Sequence, residues 1–163
     1  MTKITGLKKG IKAIYFPDYP DHDCIWAITR GQDDKIYFSL SSEWKSAVVH
    51  LMSYDPVLNK IEDLVDLGEL TGDVLRKGKI PQSKIHLALC SGSDGKIYGA
   101  THCTAPPPEE EILEVFGTYG DINRGYSGSY IFFYDSNSRK AECLGLAVPY
   151  EGVRRMVLDE KRK

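Results

Sequence analysis

The chain has 163 residues, with 21 Lys and Arg against 23 Asp and Glu, a formal charge of −2, so it has no net basic field to hold nucleic acid or an acidic membrane surface. At 42% hydrophobic, 27% charged and 10% aromatic residues, it can bury a core and does not belong with charge-rich, aromatic-poor disordered chains. No apolar run approaches the roughly 20 residues of a membrane helix, and the first residues lack the apolar stretch of a signal peptide, so the expected setting is cytoplasmic.

In chain order, short runs rich in Ile, Val, Tyr and Phe, punctuated by Asp, Gly, Asn and Pro, predict strands at 11–16, 24–29, 35–40, 48–54, 60–67, 85–90, 96–101, 129–134, 141–148 and 153–158. One helical turn is expected at 108–116, where Glu109, Glu110 and Glu111 would sit at a helix N-terminus. Four cysteines, Cys24, Cys90, Cys103 and Cys143, have no CxxC spacing and read as reduced, mostly buried thiols.

The chain is self-similar. The stretch from Cys24 to Tyr37 lies over that from Ile85 to Tyr98 without a gap, at an offset of 61, and Leu51 to Pro56 lies over Ile131 to Ser136 at an offset of 80. The 19 extra residues fall between Thr101 and Gly128. Each copy reads as four strands: an apolar strand, a D-x-K-I-Y strand entered by a tight turn, a strand ending in Tyr-Asp, and a more polar fourth. That is the plan of a propeller blade. The expected fold is all-β, a partial β-propeller of four-stranded antiparallel blades forming a single segment over 1–163. A first blade spans 24–67, and a second spans 85–148 with a loop insertion at 102–127. Residues 11–16 read as the outer strand of a closing blade, and 153–163 as the start of a third. On this reading the chain is an N-terminal fragment of a longer propeller and self-associates.

Trp26-Ala-Ile-Thr with Asp34-Lys-Ile-Tyr37, Lys84-Ile-His86, the stretch Asp94 to His102, and Glu151-Gly152 resemble a bacterial group of uncharacterised β-propeller proteins. More distantly, the D-G-K-I-Y element is similar to the blades of streptogramin-lyase-like and regucalcin-like lactonase propellers, and to WD40-like and YVTN-like repeats generally. The lactonase likeness implies a central divalent metal held by carboxylate and Asn side chains, and no such ligand set maps onto this sequence.

Loops joining outer to inner strands, and second to third strands, share one propeller face. Here they are 17–23, 41–47, 71–84, 102–127 and 149–152. They carry His22, Glu43, Trp44, His102, Arg124 and Tyr126, with His86 at the start of an inner strand. His86 and His102 bracket one hairpin and read either as an acid–base or metal-binding pair or as hydrogen-bonded structural histidines. His50 and Trp26 read as structural. Trp44 reads as a stacking platform or a cap, and Arg154 with Arg155 as an anion clamp or as solvated charges. Arg124 and Tyr126 end the insertion in a donor-rich segment flanked by glycines.

The leading expectation is a ligand-binding or interaction propeller for a small polar or carbohydrate ligand, without nucleic-acid or membrane partners. The rival is a lyase or hydrolase on a carbohydrate or lactone that uses the histidines. Neither a cofactor nor a metal site is indicated, a divalent metal entering only with the enzyme.

Overall fold

The computed structural model describes residues 3–8, 10–111, 121 and 123–162. Strand β1 (Lys3–Lys8) pairs antiparallel with β2 (Ile11–Tyr15). A first four-stranded antiparallel sheet follows in chain order: β3 (Ile28–Arg30), β4 (Ile36–Leu40), β5 (His50–Asp55) and β6 (Lys60–Asp66). After a short helix α1 (Leu67–Thr71) comes a second such sheet of β7 (Leu89–Ser91), β8 (Lys96–Ala100), β9 (Gly128–Asp135) and β10 (Lys140–Pro149). The described chain is thus all-β in character, and no helix among its described residues is long and apolar enough to cross a membrane. None of the four cysteines is in a disulfide.

Local chemistry fixes the hairpins. Before β4, the Asp33 carboxylate accepts from the Tyr37 hydroxyl at 2.9 Å and the Gly31 amide donates to the Lys35 carbonyl at 2.9 Å. Before β8, Asp94 accepts from Tyr98 at 2.8 Å and Gly92 donates to Lys96 at 2.8 Å. A β-carbon on Gly31 or Gly92 would come under 3.0 Å from the Asp oxygen, so each loop closes tightly only because that residue has no side chain. The next hairpins also match. Asp55 Oδ1 accepts from the amides of Val57 and Leu58, both at 2.9 Å, and Asp135 Oδ1 accepts from Asn137 at 2.9 Å and Ser138 at 3.3 Å. These are Asx turns, and the positive φ they need falls on Asn59 (51°) and Arg139 (58°).

The alternation along each strand sends one face of each sheet into a shared core. Tyr37, Val49, Leu51 and Leu67 meet Ile85, Ile97, Ala100 and Phe132 there. The rings of Tyr37 and Tyr134 approach to 6.1 Å across the layer. Phe132 fills the space left by its cross-strand partner Gly99, where any β-carbon would strike its ring. Ser39 ties the sheets together: its Oγ accepts from the Ala27 amide at 3.1 Å and donates to the Ile85 carbonyl at 3.3 Å. The opposite face of the first sheet, with Phe38, Leu40 and Met52, is covered by Phe16 and Tyr19 from the segment after β2.

The structure revises several boundaries. Strand β2 covers residues 11–15 of the expected 11–16, and β1, which was not expected, pairs with it through a turn at Gly10, whose φ is 85°. The first strand of each sheet is shorter than expected, because each is bulged: Cys24 bridges Ser41 and Lys84 bridges His102 before regular pairing begins at Ile28 and Leu89. Residues 153–158 form no regular strand. They run alongside the segment that leads into β7, with a parallel bridge between Leu87 and Arg155 and the Leu87 amide donating to the Arg154 carbonyl at 2.9 Å. Helix α1 was not expected, although its signals are in the sequence. Asp66 Oδ1 caps the amides of Gly68 and Glu69 at 2.8 and 3.1 Å, and Gly72 ends the helix with a φ of 74°. Of the helical turn expected at 108–116, residues 112–116 lie outside the described residues, and Pro108 and Glu109 form a turn.

Candidate functional site

The bulges that precede β3 and β7 also build the candidate site. Bridging of Lys84 to His102, by amide-to-carbonyl bonds of 3.0 and 2.6 Å, sets His86 and His102 on neighbouring strands with their rings edge to face at 5.7 Å. Trp26, on the bulge before β3, stacks on His86 at 4.8 Å with 22° between the planes. The Lys84 ammonium lies 4.4 Å from the Trp26 ring centroid and donates to Glu43 Oε1 at 2.6 Å, and its side chain is only 1% exposed. A buried ammonium needs such a partner, and the indole face supplies further cation attraction. Glu43 is held in turn by Asp23, whose carboxylate accepts from the Glu43 and Trp44 amides at 3.0 Å each.

The electrostatics keep both imidazoles neutral near pH 7. Burial pushes the His102 pKa down to about 4, helped by His86, Lys84 and Arg154. Burial also lowers that of His86, with Lys84 and Arg154 adding to it. The Nδ1 atoms of both rings are buried without a hydrogen-bond partner. For His102 the cause is visible: the Gly152 backbone packs against its Cε1–Nδ1 edge so closely that a β-carbon there would clash. The neighbouring Cys24 thiol is pushed up to about 12 by burial and by Asp23, which makes it a poor nucleophile.

Of the residues singled out from sequence, His86 and His102 come together, with Arg154 near enough to act on both. Tyr126 touches His102 edge to face at 6.4 Å, but it is fully buried, and its hydroxyl donates to Gln82 Oε1 at 2.8 Å and meets Ser129 Oγ at 3.2 Å. Gln82 in turn donates to Asp73 at 2.9 Å and to the Gly128 carbonyl at 3.0 Å. Tyr126 therefore belongs to a buried scaffold under the site. Arg124 pairs with Glu110 and donates to the Gly78 carbonyl at 3.3 Å, bracing two loops against each other. Trp44 is 68% exposed and enters none of the ring contacts around His86.

His22 is grouped elsewhere. Its Nε2 is 2.7 Å from the Val48 carbonyl and its ring is 5.3 Å from that of His50, so the four histidines of the chain form two separate pairs. Sequence reasoning placed Glu43 on the loop face without its partner, and missed Trp26, Lys84 and His50 as members of these clusters. The sequence carries no local signal for them, because each meets its partner across a bulge or a sheet-to-loop contact.

Among the described residues, no group of three or more His, Cys, Asp or Glu side chains is placed to hold a metal ion. The arrangement offers neutral imidazoles able to donate and accept hydrogen bonds, a partly exposed indole and a cationic surround. Comparison with protein-family models, curated proteins and solved structures finds no match to this chain.

Proposed function

We propose that the chain is a propeller-type binding module and that a small polar or carbohydrate ligand lies on its inner-strand surface at Trp26 and His86. The propeller reading is supported by two consecutive four-stranded meanders whose turns match bond for bond. It is also supported by the parallel course of 153–158 beside the second inner strand. Neighbouring blades bring their inner strands together in this way around a central channel.

The observation that carries the ligand reading is the stack of His86 on Trp26, an indole 38% exposed on a surface that also presents Ile28 and Leu87 around a gap of about 100 Å³. An aromatic face suits the apolar C–H face of a sugar, a neutral imidazole suits its hydroxyls, and the exposed guanidinium of Arg154 suits an acidic substituent. The part-buried Glu43–Lys84 pair and the buried Tyr126–Gln82 network support the surface from below, holding the bulges in register.

The test uses Trp26 as its own reporter. In a Trp44→Phe background, Trp26 is the only tryptophan, and its emission is followed while glucose, glucuronate and gluconolactone are added. A saturable change with at least one of them, weakened about tenfold or more by His86→Ala, is the expected result. No change with any of the three, or equal binding by the His86→Ala variant, overturns the reading. Consumption of the lactone would replace binding by catalysis.

A further inference from the structure

We propose that a second cleft, remote in character from the first, takes a small organic ammonium ion with an aliphatic body. The cleft has a volume of about 440 Å³ and lies between the segment after β2, strand β5 and the loop after α1. That volume is in the range of small-molecule sites. Its wall is aromatic: Tyr19, His22 and His50 pack mutually edge to face at 5.3 to 5.5 Å. Val74 and Leu75, 43% and 44% exposed, line it from the other side. The carboxylates of Asp18, Asp21, Asp66 and Glu69 line it, and the Lys45 ammonium pairs with Asp21 at 3.3 Å at its rim and leaves the other three to set the field.

His50 reports the sign of the field. Burial alone lowers an imidazole pKa, yet that of His50 is raised, because the hydrogen bond and charge of Asp63, with Asp66 and Glu69, outweigh burial. Asp63 Oδ2 lies 2.9 Å from His50 Nδ1 and accepts from the Tyr19 hydroxyl at 2.7 Å, while Asp66 Oδ2 is 3.9 Å from His50 Nε2. His22 stays the neutral member of the pair, its pKa lowered first by burial. The space thus combines a carboxylate field, the π faces of Tyr19 and neutral His22, and an aliphatic wall, which together favour an alkylammonium over its neutral and anionic analogues. This site is independent of the Trp26–His86 surface, where the same residue type is held in a cationic surround.

The experiment titrates the whole chain with butylammonium, 1-butanol and butyrate while the ring C–H signals of His22, His50 and Tyr19 are followed by NMR. Saturable shifts with butylammonium alone are expected. Glu69→Gln combined with Asp21→Asn, both at exposed positions, is expected to weaken that binding about three- to tenfold, as the loss of two partly screened charge contacts predicts. Equal shifts with 1-butanol, the absence of saturable shifts with butylammonium, or unchanged affinity in the folded double variant would overturn the proposal. The three-probe comparison on the unaltered chain decides the matter even if the double variant does not fold.

Discussion

The Gly152 backbone lies directly against the imidazole edge of His102, leaving no space for a β-carbon beside Cε1 and Nδ1. The segment that continues into Val153 and Arg154 is thereby laid over His102, which is 7% exposed. The Val153 amide donates to Ser129 Oγ at 2.7 Å and the Arg154 carbonyl accepts from Leu87 at 2.9 Å. The close approach is therefore anchored on both sides and cannot relax by moving one strand.

Gly152→Ala is accordingly expected to destabilise the protein by about 1–3 kcal/mol, the usual cost of forcing extra volume into a packed site. His102→Ala should lose packing of its own, but the double variant should cost less than the sum, since each change removes the other's clash partner. Urea unfolding of the four proteins in the cycle measures the coupling, and additive costs would mean that the two residues do not press on one another.

His102 and His50, one from each pair, should titrate in opposite senses. The His102 pKa of about 4 lies below the unfolded value near 6.5, so the unfolded chain binds the proton more readily. Stability from His102 is complete above pH 6.5 and is lost as pH falls toward 4. The raised pKa of His50 has the reverse consequence, its contribution being complete below 6.5 and lost as pH rises through the folded value. NMR titration of the four histidines, with thermal unfolding across the range for His102→Gln and His50→Gln, checks both signs. A His102→Gln variant with the full acid sensitivity of the parent would contradict the assignment.

Gly31 and Gly92 occupy corresponding turns with the same bonds around them, so Gly31→Ala and Gly92→Ala should destabilise by similar amounts, about 1–3 kcal/mol each. Thermal melts of the two variants provide the comparison. A large cost at one turn with none at the other would show that only one of the two loops depends on the missing side chain.

These turns also show how much of the fold was legible in the sequence. Asp and Gly in a D-x-K-I-Y setting specify a hairpin through bonds spanning no more than four residues, so the second and third strands of each sheet were placed almost to the residue. The first strands of the two sheets were not, because bulges at Trp26 and His86 depend on Ser41 and His102 across the sheet. For the site, pairing of His86 with His102 was legible because one hairpin separates them. The misplacement of His22 has a different cause. A face of loops says which end of a fold a residue occupies, but the Val48 carbonyl, 26 residues away, decides what its ring touches.

Tyr126 and His86 can be separated by function. The Tyr126 hydroxyl is wholly buried and satisfies Gln82, whose amide in turn holds Asp73 and the Gly128 carbonyl. Tyr126→Phe keeps the ring and removes one oxygen, leaving Gln82 Oε1 without this donor. A cost of about 1–3 kcal/mol is expected, the penalty of an unsatisfied buried polar group. Because no ligand touches that hydroxyl on the proposed reading, the Trp26 fluorescence response should be kept at temperatures where the variant is folded. His86→Ala should do the opposite: a half-buried ring leaves the surface at small cost in melting temperature, and the response is lost. If Tyr126→Phe abolishes the response while barely changing stability, the ligand lies on the Tyr126 side of His102 and the site must be redrawn around that network.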